Sequence, residues 1–209
     1  VETETNLSLK VIAGISEKSA EKFTELAETN KEQVEKLTIL AIQNAENTSE
    51  DSQRIANVVA IVDDELANKV VEEVSKTAVE EKQSLSIKVL KAIVDTEPEK
   101  IEIINEDIKD DLIEKGIEAA KNQQEGTTTD EEDLSNTVAE IVTKANNETA
   151  AKVLETLDEA TSDTDSNLAL NVVNNLTKQE NYEEKIEILT VTSSIVEQNI
   201  NKLIEKAVE

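Results

Sequence analysis

The sequence predicts an all-α protein: a tandem-repeat α-solenoid or helical superhelix of about 13 short helices, with a repeat of about 80 residues. Three observations predict it. A six-residue motif recurs seven times with mostly apolar residues at its second and third positions and an aliphatic residue at its sixth, which is the spacing of one helix face. Longer blocks return in the same order at shifts of 78 to 85 residues. Helix-start signals accompany these patterns, such as Pro98 with Thr96 and Glu99 at capping-box spacing.

The motif reads KVIAGI from residue 10, NVVAIV from 57, KVVEEV from 69, KVLKAI from 88, NTVAEI from 136, KVLETL from 152 and NVVNNL from 171. Val and Ile favour strands by propensity, but a strand would alternate, and the spacing of three to four outweighs the propensity. The longer repeat rests on three blocks. NLSLKVIAGI (6–15) returns as SLSIKVLKAI (84–93) and NLALNVVNNL (167–176). EKFTEL (21–26) returns as EKIEII (99–104) and EKIEIL (184–189), and residues 69–94 map onto 152–177 without a gap at a shift of 83. The chain is thus expected to divide into repeat 1 (1–82), repeat 2 (83–165) and a partial repeat 3 (166–209).

Taken in order, the first helix is expected at 6–15 on the face of KVIAGI and the second at 18–29 through EKFTEL. The third, 31–45, is opened by Asn30 with Gln33 at capping-box spacing. Helices at 52–63, 65–77 and 83–95 carry NVVAIV, KVVEEV and KVLKAI. In 97–106 Pro98 sits just inside the start, with Thr96 and Glu99 at capping-box spacing. Helices follow at 108–123, 131–144, 148–159, 166–177, 181–190 and 192–208, the last with Ile200, Leu203, Ile204 and Ala207 at helical spacing. Polar loops interrupt at Asn47 to Asp51, Gly126 to Glu131 and Thr161 to Asp165.

The motif resembles the short-helix superhelical repeats of magnesium-channel regulatory domains and of flagellar motor proteins, which also use aliphatic pairs such as the Val-Leu of KVLETL. The resemblance covers six-residue stretches, and no functional residue is carried over from it.

Composition sets further bounds. Val, Ile, Leu and Phe make up 58 of 209 residues, enough for a chain of net charge -26 to fold around a thin aliphatic core. Phe23 and Tyr182 are the only aromatics. The absence of His and Cys removes the commonest general base, the thiolate nucleophile and the usual zinc ligands. With no Met, the chain is expected to be processed or to be part of something longer. Lysines number 20, and Arg54 is the one arginine, so the acidic surface should repel nucleic acid and anionic lipid. The longest apolar run, Val58 to Val62, is too short to insert into a membrane. Richness in Lys, Asn, Ile and Glu points to an AT-rich bacterial genome.

Three groups of residues are candidate sites. Carboxylate pairs occur at Asp63–Asp64, Glu72–Glu73, Asp110–Asp111 and Glu131 to Asp133. A buried pair could perform acid–base chemistry, but these read as solvated helix faces. Residues 163–167 open like a calcium loop, yet Leu168 and Asn174 stand where an EF-hand needs Gly and Glu. That segment is expected to cap a helix through Asp165 or Ser166. TTTDEED (127–133) is read as another cap. With three glycines, no phosphate loop or dinucleotide fingerprint is present. No catalytic, cofactor-binding or metal residue is therefore assigned, no cofactor is expected, and loose cation condensation is the expected response to cations.

The leading expectation is a non-catalytic structural module of an extracellular or surface-exposed assembly, joined to neighbouring repeats or to other copies. The alternatives are an intracellular scaffold binding a protein partner, and an acidic domain responsive to divalent cations. Crowded carboxylates are expected to have raised pKa values, so that salt and mild acid stabilise the fold.

Overall fold

The computed structural model describes residues 7–126, 132–161, 167–180, 182–183 and 185–186. Among these residues the structure is all-helical, as expected, with eleven α-helices and one short 3-10 turn. They are α1 (Leu7–Lys18), α2 (Ala20–Thr29), α3 (Lys31–Gln43), α4 (Ser49–Ile61), α5 (Asp64–Thr77), α6 (Ser84–Thr96), α7 (Lys100–Ile103), α8 (Glu106–Gln124), α9 (Leu134–Lys144), α10 (Asn147–Thr161) and α11 (Leu168–Leu176). The expected helices at 181–190 and 192–208 lie almost wholly outside the described residues.

Capping chemistry decides where the helices start. Ser19, Thr48, Asp63, Asn105 and Asp133 each place a side-chain oxygen on a free N–H of the first turn of α2, α4, α5, α8 and α9. Thr48 starts α4 at Ser49, inside the stretch expected to be a loop, and Glu50 and Asp51 then stand in a first turn that favours negative charge. Two expected caps are absent. Asn30 makes no side-chain bond to α3, and Thr96 is the last residue of α6, where its hydroxyl accepts from Gln53 Nε2 at 2.7 Å. The helix expected over 97–106 accordingly shrinks to the single turn α7. Asp165 and Ser166 lie outside the described residues, and Asn167 flanks α11 without a side-chain cap.

The helices pack as two rows. One row runs α1, α4, α6, α9, α11, each touching the next. The other runs α3, α5, α8, α10 in the same manner. The rows lean on each other through α1 with α3, α4 with α5, α6 with α8, and α9 with α10. All five members of the first row carry a copy of the six-residue motif, and α5 and α10 carry the other two. A single aliphatic cluster extends from Leu9 to Leu176 between the rows. Its one large ring is Phe23, so the core is assembled from many small contacts.

Gly116 marks a close crossing of α8 and α6. A Cβ on this α8 residue would lie 2.5 Å from Ile87 Cβ on α6. The absent side chain lets the two backbones approach, which is why glycine occupies a buried helical position.

Candidate functional site

The acidic residues were the first place to seek chemistry, and the structure disperses them among structural tasks. Asp63 caps α5 through Leu66 N–H at 2.8 Å, and Asp64 stands 3.8 Å from Lys100. Glu72 pairs with Lys76 at 2.6 Å, while Glu73 accepts from Gln43 at 2.7 Å. Asp110 faces Lys152 at 3.2 Å, and Asp111 accepts from the Ser75 hydroxyl and from Lys115 at 2.9 Å. Asp133 caps α9, realising the cap expected of 127–133, and Glu132 accepts from the Ser49 hydroxyl at 2.6 Å. Glu131 lies outside the described residues. Among the described residues no three His, Cys, Asp or Glu side chains converge as a metal-binding group. Residues 163–166, which open like a calcium loop in sequence, are outside them as well.

The electrostatics differ from the expectation drawn from net charge. Glu65 is held down at about 2 because Lys31 and Lys69 both donate to it, at 2.5 and 2.9 Å. Burial opposes ionisation of Asp95, but Lys144 at 2.6 Å and Lys91 at 2.7 Å overcome it and lower its pKa. Burial likewise opposes ionisation of Asp111, and the Ser75 and Lys115 bonds outweigh it, again lowering the pKa. The raised carboxylate values expected from crowding are reversed at these three positions, because the few lysines stand where neighbouring helices meet.

The single arginine also serves packing. Arg54 Nη1 meets Asp51 at 2.7 Å, and Asp51, only 1% exposed, further accepts from Glu46 N–H at 2.8 Å. A cluster of amides that the sequence reading passed over clamps α8, α9 and α11. Gln123 bridges the Glu132 carbonyl and Leu134 N–H, Asn171 donates to Gln124, and Asn175 donates to Ser135 at 2.9 Å. These groups, with Lys178, line a polar cleft of about 450 Å³. The signal available in the sequence was the run of amides in Asn122 to Gln124 and Asn171 to Asn175, at positions where an exposed helix would carry charge.

The other feature is apolar. Val11 and Ile15 of α1, Leu26 of α2, and Leu37 and Leu40 of α3 are all exposed. Scattered exposed aliphatics are ordinary, but five on three touching helices at one end of both rows form a patch.

No helix among the described residues is long and apolar enough to cross a membrane. No protein-family model, no curated protein and no solved structure matches the chain.

Proposed function

We propose that this chain is a non-catalytic structural repeat module, an α-solenoid of about 80-residue repeats over 1–82, 83–165 and 166–209, that serves a larger self-associating assembly at a cell surface or outside the cell. The observation that carries the reading is the pair of helix rows ending in the exposed aliphatic patch of α1, α2 and α3. Such rows extend by adding units, and an uncovered aliphatic end is where addition would begin.

The side-chain assignments support the reading. Ion pairs between successive helices of the second row recur at equivalent places: Lys69 of α5 reaches Glu35 of α3 at 2.8 Å, and Lys152 of α10 reaches Asp110 of α8 at 3.2 Å. The carboxylates that could have formed a reactive pair are divided among caps and these bridges. A surface without His, Cys or clustered Arg suits packing against like units better than turnover or nucleic-acid binding.

Self-association of the full chain tests the proposal. Light scattering at rising concentration should show mass above the monomer, increasing with salt as the charge of -26 is screened. A strict monomer at every concentration and ionic strength would defeat the reading.

A further inference from the structure

The exposed end of the molecule has a covered counterpart inside it. By the recurring decapeptide, Val11 and Ile15 of α1 correspond to Val89 and Ile93 of α6. The α1 pair is 49% and 39% exposed, whereas the α6 pair is 0% and 1% exposed. What covers α6 follows from helix geometry. Lys91 points to α9, where it meets Glu140 at 3.0 Å. Val89, Ile93 and Thr96 lie about 140–160° around the axis from Lys91, and Thr96 is bonded to Gln53 of α4. The α6 pair is therefore buried by the preceding helix of its row, α4.

The second row behaves alike. Asn30 precedes α3 as Asn105 precedes α8, and in that register the buried Thr38, Ala41 and Ile42 match the buried Ile113, Gly116 and Ile117. Leu37 and Leu40 then match Leu112, which is fully buried, and Lys115, which donates to the Ser75 carbonyl of α5 at 2.7 Å. In α8 these positions face the preceding helix α5; in α3 they are bare.

A polar contact identifies the missing neighbour independently. Lys100 donates to the carbonyl of Val62, the C-terminal cap of α4, at 2.9 Å, and Lys185 donates to the carbonyl of Ala145, the cap of α9, at 2.5 Å. Both lysines come from the recurring Glu-Lys-aliphatic block, whose first copy supplies Lys22. Lys22 is exposed, and its ammonium has no partner among the described residues.

We propose that the face formed by Val11, Ile15, Lys22, Leu37 and Leu40 docks a helix pair of the α4–α5 or α9–α10 kind, with Lys22 bonding the carbonyl that ends its first helix. This rests on the repeat reading above and names the unit that the open end accepts. The partner is a like helical unit because it must present two aliphatic helix faces, side by side, and an unbonded helix-end carbonyl between them.

The test appends the pair to the chain from Asn6 onward. Residues 132–166 are placed ahead of Asn6, so that α10 leads into α1 as it leads into α11. Amide exchange across α1 and α3 should slow about tenfold or more. Val11→Glu and Lys22→Met, nearly silent in the unextended chain, should each reduce that gain. Unchanged exchange in α1 and α3, an appended pair that stays unfolded beside an intact chain, or protection indifferent to both substitutions overturns the proposal. The outcome is separable from self-association: a monomeric parent chain whose extended form gains protection keeps the docking face and removes only the assembly reading.

Discussion

Gly116 on α8 and Ile87 on α6 approach so closely that a methyl group at residue 116 would sit 2.5 Å from Ile87 Cβ and 2.9 Å from its Cδ1. The obstructing Cβ is fixed to the α6 backbone, so rotation of Ile87 cannot clear it. Gly116→Ala should therefore destabilise the protein by about 1–3 kcal/mol even though alanine is the better helix former. Gly14, whose Cβ would meet nothing within 4 Å, is the control: Gly14→Ala should be neutral or stabilising. Urea denaturation of the two variants checks the contrast.

Arg54 neutralises a carboxylate that water hardly reaches. Asp51 is 1% exposed, and Arg54→Met removes the guanidinium from a buried carboxylate that also accepts from Glu46 N–H. We expect a loss of about 3 kcal/mol, much larger than for deleting a surface pair, and substantial rescue by the added change Asp51→Asn. A double-mutant cycle measured by denaturation gives the coupling; strict additivity would contradict the buried pair.

Thr38 carries a buried hydroxyl with no hydrogen-bond partner, at the place where α8 has Ile113. Replacing it by Val keeps the shape and removes the unsatisfied group. Thr38→Val should raise stability by about 1 kcal/mol, read as a higher denaturant midpoint with an unchanged slope.

Glu65 sets an acid response. Its folded-state pKa of about 2 lies below the ordinary 4.5, so the folded chain releases that proton more readily than the unfolded one. The resulting stabilisation is present above about pH 4.5 and is lost as pH falls toward 2. The same sign holds for Asp95 and Asp111, whose values are also lowered. Glu65→Gln should flatten the denaturation midpoint between pH 4.5 and 2 relative to the parent. A parent midpoint that rises on acidification through that range would restore the view that repulsion among carboxylates dominates.

Much of the helix content was legible in the order of residues, for a local reason. Apolar side chains at a spacing of three to four define a helix face whatever covers it, so KVVEEV and KVLETL located α5 and α10 directly. Short-range polarity was less legible. Thr96 looked like a cap from its distance to Glu99, yet its hydroxyl went to Gln53, 43 residues away. Charge was least legible: a net of -26 suggested strained carboxylates, while Lys31 and Lys69, from different helices, converge on Glu65.

The sequence by itself determined that the chain is helical, which face of most helices turns inward, and that neither His nor Cys chemistry is available. Only the tertiary structure decided that five of the seven motif-bearing helices line up in one row, while the other two, α5 and α10, join α3 and α8 in the second. It alone separated Val89, covered by α4, from Val11, exposed in the same motif. The reason is physical: periodicity reports where apolar side chains lie on a helix, and burial depends on which other helix the folded chain brings against that face.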